Sequence, residues 1–182
     1  MSIIKNETID AILTRQTIRE YKPEQITQDE LDTIIAVAIK APSGRNGQPC
    51  HVRFVQNREM LHRMHIDYKN HVGWDTPVHT RWETNPFYHN APTFAFIFAE
   101  TNSAMEGGLM AENICIAAKS LGLGTCIIAS VGALFTSDKG DAWRKELDIP
   151  EGWPFVIGVG IGYPDESPEF KPRDESKFTV IK

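Results

Sequence analysis

Cysteine is scarce in this sequence. The 182 residues hold three, Cys50, Cys115 and Cys126. The number is odd and there is no CxxC pair, so neither a disulfide framework nor a zinc site is indicated. Reduced thiols in the cytoplasm are the expectation. Positive charge is also in short supply: 19 Lys and Arg against 24 Asp and Glu leave a net charge of −5. Nucleic-acid and polyanion binders need the opposite sign, so no nucleic-acid partner is expected. Long apolar runs are missing as well. The longest, such as residues 94–99, fall far short of the ~20 residues of a membrane span. Residues 1–8 are polar where a secretory leader would be apolar. No internal repeat or low-complexity stretch is present. The length, with 41% hydrophobic residues, suits one domain over 1–182.

What is present is punctuation and periodicity. Asn6 is placed to cap a helix with Ile9, Ile12 and Leu13 on one face. Thr27-Gln-Asp-Glu30 has capping-box spacing. Leu31, Ile34, Ile35 and Ala38 follow at helical spacing, and Pro42 stops that helix. Residues 50–56 alternate as a strand, and Asn57 caps a short helix from 58 to about 66. From 67 to 90 the pattern is irregular, and 66–92 reads as a lid or insert loop. Its aromatics, Tyr68, Trp74, Trp82, Phe87 and Tyr88, either cover a site or pack the loop onto the core.

Further on, 93–99 reads as a buried strand and 106–121 as a helix closed by Gly122 in the left-handed conformation. A strand over 125–129 and a helix over 138–147, with Trp143 and Leu147 inward, precede a buried strand over 155–162. Pro164, Pro168 and Pro172 then mark an extended arm, 164–182, with a β-prone end at 177–181. That end pairs with its own sheet or with the edge of a second subunit; the sequence leaves both open.

Three signals are set aside. Gly158-x-Gly160-x-Gly162 misses the dinucleotide spacing and runs into Pro164 rather than a helix, so close strand packing is the better reason for it. His62 and His65 lie three apart on a helix, but nothing completes a metal site, and surface histidines are expected. Cys50 and His51, adjacent on a strand, point to opposite faces and cannot cooperate as nucleophile and base.

Four blocks carry a family likeness. They are Arg15-Gln-Thr-Ile-Arg19-Glu-Tyr21, Ala41-Pro-Ser-Gly-Arg-Asn46-Gly-Gln-Pro49, Gly108-Leu-Met-Ala-Glu-Asn-Ile-Cys-Ile-Ala-Ala-Lys-Ser-Leu-Gly-Leu-Gly124, and Gly160-Ile-Gly-Tyr-Pro164 with Lys171-Pro-Arg173. In this order and spacing the chain resembles the nitroreductase family. The resemblance implies an α+β nitroreductase-like fold, with a central, mostly antiparallel sheet flanked by helices. It also implies an intertwined homodimer whose C-terminal arm reaches the partner, with FMN bound at the interface. The expected activity is FMN-dependent NAD(P)H oxidoreduction of nitroaromatic, quinone or similar electron-poor small molecules, by a ping-pong mechanism. Dehalogenation, flavin breakdown, or a non-catalytic role in carrying FMN are the alternatives.

The resemblance also assigns residues. Arg15, Gln16 and Thr17 go to the cofactor, Arg15 offering a charged fork and Thr17 a hydroxyl suited to phosphate and ribityl oxygens. Arg19 is expected near N1 and O2 of the ring, where it would stabilise charge on the reduced flavin. Lys171 and Arg173 add phosphate charge from the arm. Pro42, Ser43, Gly44 and Asn46 are expected to lie against the flavin of the other subunit. Ile127, Ile128, Ala129 and Ser130 are expected to cross one ring face, with a backbone N–H aimed at N5. No side chain is expected to act as catalyst and no metal is implied. Two departures stand out: Cys50 where an aromatic often follows Gln-Pro, and Ala129 where several members carry Glu, leaving water to supply protons.

Overall fold

A computed structural model describes residues 3–75 and 86–182 of the chain. Five α-helices and four strands are defined among them: α1 (Glu7–Thr14), α2 (Gln28–Ala38), β1 (Cys50–Val55), α3 (Arg58–Val72), β2 (Thr93–Ala99), α4 (Ala104–Ser120), β3 (Gly124–Ile128), α5 (Gly140–Glu146) and β4 (Phe155–Gly162). The caps expected from the sequence are formed. Asn6 Oδ1 accepts from Ile9 N at 2.9 Å, and Asn57 Oδ1 from Met60 N at 2.9 Å. At α2 the box closes both ways: Thr27 Oγ1 accepts from Glu30 N at 3.3 Å and Glu30 Oε2 from Thr27 N at 2.7 Å. Each cap satisfies an amide that the first helical turn leaves without a partner.

The sheet is antiparallel throughout, in the order β1-β2-β4-β3. β2 lies inside it and every residue from Thr93 to Ala99 is buried. Alternation along a strand sends neighbours to opposite faces. Phe94, Phe96 and Phe98 accordingly pack on one side with α3, α5 and the 3-10 segment Ser130–Thr136. Ala95 and Ile97 pack on the other side with α2 and α4. Each phenylalanine fully withdrawn from water contributes roughly 1.5–3 kcal/mol.

The three glycines of β4 make this possible. They share the face of the phenylalanines, and a Cβ at Gly158 would come within 2.7 Å of the Phe94 ring. A Cβ at Gly162 would come within 2.5 Å of Pro92. Close packing, not dinucleotide binding, accounts for that run.

Three expectations need correction. Helix α3 does not end near 66 but continues to Val72 and is closed by Gly73 at φ 93°. Leu61, Met64 and Tyr68 are its buried apolar residues, beside a buried Lys69, with Val72 packed partly against the same cluster at helical spacing. The sequence around Tyr68 is polar enough to hide that stripe. As a result, much of the expected 66–92 loop is ordered structure. Phe87 and Tyr88 belong to the core, with Phe87 packed edge-on against Tyr68 at 5.7 Å and Phe94 at 5.4 Å. Trp74 stays about half exposed, and Trp82 lies outside the described residues.

The second correction concerns histidines. His62 is exposed, but His65 is half-buried, its Nδ1 accepting from Phe87 N at 3.4 Å, and His89 is buried. The third concerns the β-prone end of the arm, which forms no strand in the single chain. Phe178, Val180 and Ile181 are 85%, 81% and 93% exposed, so pairing with its own sheet does not occur. No described helix is long and apolar enough to cross a membrane.

Replacing Gly158 by Ala is expected to destabilise the fold by about 1–3 kcal/mol through overpacking against Phe94. Urea denaturation should show a lower midpoint at an unchanged slope; an unaltered midpoint would refute the packing account.

Candidate functional site

The site is built along the free edge of β3. Helix α4 ends in a Schellman turn: Gly122 N donates to Lys119 O at 3.1 Å and Leu123 N to Ala118 O at 2.8 Å, with Gly122 at φ 80°. The turn reverses the chain into β3. Residues 15–21 lie along that strand, where Thr17 bridges Thr125 in parallel and Ile18 N donates to Thr125 O at 2.9 Å. Such an approach requires glycine at 124, since a Cβ there would stand 2.7 Å from Ile18 Cγ1.

The start of the arm closes the other side. Lys22 N donates to Tyr163 O at 2.9 Å, Asp165 N to Glu20 O at 2.9 Å, and Gln16 Nε2 to Pro168 O at 2.8 Å. The carboxylate of Glu166 accepts from the backbone N–H groups of Arg19 and Glu20. Between these pieces lies a cleft of about 200 Å³ walled by Arg15, Gln16, Lys119 and the turn 122–125, with 164 and 166–168 opposite.

Two cations, a side-chain amide and a backbone turn in one small cleft suit a phosphate ester or a polyol. Lys119 offsets the negative end of the α4 dipole, which would otherwise oppose an anion there. Thr17 is half-buried and fixed by its bridge to Thr125. Arg19 is half-buried too and does not line the cleft. Its charge reaches Cys126, Tyr21 and His89 instead. Burial, opposed by Arg19, pushes the Cys126 thiol up to about 11. Burial and then Arg19 hold His89 down at about 4. Beyond the cleft, β3 presents Ile127, Ala129 and Ser130 to solvent while Ile128 is buried. Ala129 stands just past the strand, and Ser130 opens the 3-10 segment.

The remaining residues expected at the site are elsewhere in the single chain. Pro42 and Ser43 border a separate cavity of about 140 Å³ with Cys50, Glu106 and Met110. Glu106 is near the start of α4 and Lys119 near its end, 13 residues apart, which is roughly 20 Å along the axis. The loop and the Arg15 cleft therefore do not meet within one chain. The loop itself is strained: Arg45, Asn46 and Gln48 have φ of 53°, 58° and 48° without being glycine. Lys171 and Arg173 sit on the exposed arm and do not line the cleft. Cys50 and His51 do point apart. His51 pairs with Glu100 at 2.9 Å and packs on Trp153, while Cys50 lines the loop cavity, where burial, with Glu106 nearby, raises its thiol.

Sequence reasoning missed Lys119 and Glu166. Lys119 had a usable signal, because it falls in the last helical turn just before Gly122. Glu166 had none, since its contact with Arg19 spans 147 residues.

The Nitroreductase family profile matches residues 12–163. The chain belongs to the nitroreductase family. A putative NADH dehydrogenase/NAD(P)H nitroreductase of Archaeoglobus fulgidus is 28% identical over 177 residues, covering 93% of this chain and 92% of that one. An NADPH-flavin oxidoreductase of Vibrio harveyi is 28% identical over 173 residues, covering 92% of this chain and 70% of that one. Among solved structures, a nitroreductase with bound FMN from Desulfitobacterium hafniense superposes with a TM-score of 0.90 at 26% identity, covering 98% of this chain and 100% of that one. The fold expected from the four blocks, an antiparallel sheet with flanking helices, is the family's.

The two shielded histidines make the family fold acid-sensitive. Burial first, with Lys69 and His62 adding to it, lowers His65 to about 4, as burial and Arg19 do for His89. An unfolded histidine titrates near ~6.5. Between these values the unfolded chain binds more protons, so stability rises with pH there. The contribution is complete above the unfolded value and is lost as pH falls toward the folded one. Urea midpoints should therefore drop from about pH 7 to about pH 5, and His65→Asn should narrow the drop. A midpoint that holds steady over this range would refute the assignment.

Proposed function

We propose that the chain is an FMN-dependent NAD(P)H oxidoreductase that works as a homodimer and reduces nitroaromatic, quinone or similar electron-poor acceptors. The observation that carries this reading is the cleft in which Arg15, Gln16 and Lys119 surround the 122–125 turn, next to the exposed end of β3. Its donors match a phosphorylated, polyol-linked ring. FMN, when bound, supplies two-electron transfer, taking a hydride from NAD(P)H and passing electrons to the acceptor in separate half-reactions.

The chain's own residues bind and orient. Arg15 and Lys119 neutralise the phosphate, and Lys171 and Arg173 bring further charge when the arm closes over it. Gln16 and Thr17 hold ribityl oxygens. Arg19 would stand near N1 and O2 of a bound ring, where its charge would favour the reduced form. The segment Ile127, Ile128, Ala129 and Ser130 supports one ring face and offers a backbone N–H at N5. Ala129 carries no acid, so solvent delivers the proton.

Two features support the dimer. The loop bearing Pro42, Ser43, Gly44 and Asn46 is roughly 20 Å of helix away from its own chain's cleft, so it serves a flavin only if a second copy brings it. Apolar side chains also lie uncovered on several elements: Ile12 and Leu13 on α1, Met105 and Leu109 on α4, and Phe178 on the arm. Exposed apolar side chains on these elements would be covered in a symmetric dimer.

The purified protein is expected to be yellow and to bleach when NAD(P)H is added without oxygen. A colourless protein that cannot be reconstituted with FMN would overturn the reading. A yellow one that NAD(P)H fails to bleach would make it a flavin carrier instead. Arg19→Ala is expected to lower the flavin potential, and a potential equal to wild type would remove the role given to Arg19.

A further inference from the structure

One acid at the site has no part in the proposed chemistry. Glu166 lines the cleft beside Arg15 and Gln16, although a carboxylate is unfavourable next to a phosphate. Its side chain is not spent on a cation. Among the described residues no ion pair joins it to Arg15, Arg19 or Lys119. Oε1 instead accepts from two consecutive backbone amides, Arg19 N and Glu20 N, the second at 3.3 Å. The flanking residues repeat the tie: Asp165 N donates to Glu20 O at 2.9 Å, and Gln16 Nε2 to Pro168 O at 2.8 Å. The same environment registers both charges, since Tyr21, His89 and Cys126 each feel Glu166 and Arg19 with opposite sign.

A carboxylate that holds the main chain on either side of an arginine, while no ion pair among the described residues engages the guanidinium, fixes where that side chain starts. We infer that Glu166 is a positioning residue: it clamps the Arg19–Glu20 backbone to the base of the C-terminal arm and thereby aims the Arg19 guanidinium at the flavin ring. The inference rests on the flavin reading above for its consequence, but the clamp itself exists without the cofactor. Glu166 also ties the base of the arm to the 15–21 segment, two parts of the proposed cofactor site that are far apart in sequence.

The test uses the full-length protein, with and without FMN. Hydrogen exchange at the Arg19 and Glu20 amides reads the clamp directly. In E166A their protection is expected to fall about tenfold or more, the loss of a charge-assisted hydrogen bond. FMN affinity should weaken, and the flavin potential should shift in the direction of R19A. The double variant R19A/E166A should shift the potential no further than R19A, because Glu166 acts through Arg19. E166Q keeps an oxygen able to accept, so it should retain most of the protection and leave the potential at or above that of wild type. Unchanged amide protection in E166A, or an unchanged potential, would overturn the inference. So would additive shifts in the double variant, or E166Q falling as far as E166A. Should R19A itself leave the potential untouched, the flavin role of Arg19 fails, and the exchange data still judge the clamp separately.

Discussion

The close contact between the Phe94 ring and Gly158 sets the terms for the rest of the molecule. β2 has aromatic rings along one face and small or aliphatic side chains along the other, and it is buried along its whole length. The Phe94 ring can approach β4 only because β4 offers glycine at 158, while Gly160 and Gly162 on the same face admit Ala91 and Pro92. β4 in turn pairs with β3 as the last strand of the sheet. What the glycines secure is therefore an edge: a short strand with one side left open to other parts of the chain.

That edge decides where chemistry can happen. A backbone edge needs hydrogen-bond partners, and residues 15–18 supply them through Thr17 and Ile18 to Thr125. Beyond Thr125 the strand presents Ile127 and then Ala129 and Ser130 to solvent. Arg15 and Lys119 gather charge at the covered end, and exposed residues follow at the other. The helix that packs beneath both ends, α4, also separates the cleft from the strained 44–48 loop by most of its own length. One helix thus sets the spacing between a site and the loop that a second copy would contribute.

Much of this was legible beforehand where the signal is local. Caps at Asn6, Thr27 and Asn57, the left-handed Gly122 and the short apolar run of β2 all depend on residues within a few positions of one another. Tyr68 and Val72 show the limit of that reading. Their helical spacing is present in the sequence, but polar neighbours mask it, and only the burial of Tyr68 against Phe87 makes the stripe evident. For the aromatic stretch the sequence left two readings open, a lid or packing onto the core, and Phe87 and Tyr88 are core residues in space.

The sequence by itself determined most of the elements, their capped starts and the family, because capping and turn formation are short-range effects written in neighbouring residues; the C-terminal end of α3 was not among them. It also singled out Arg15, Gln16, Thr17 and Arg19 as candidate cofactor-binding residues. Only the tertiary structure decided which of the named residues share a cleft. It joined Arg15 to Lys119 and tied Arg19 to Glu166 across 147 positions, while keeping Pro42 and Ser43 at the far end of α4. The physical reason is that the meeting of a loop, a helix end and an arm depends on how buried faces pack. Packing is a property of the whole core, and no local pattern encodes it.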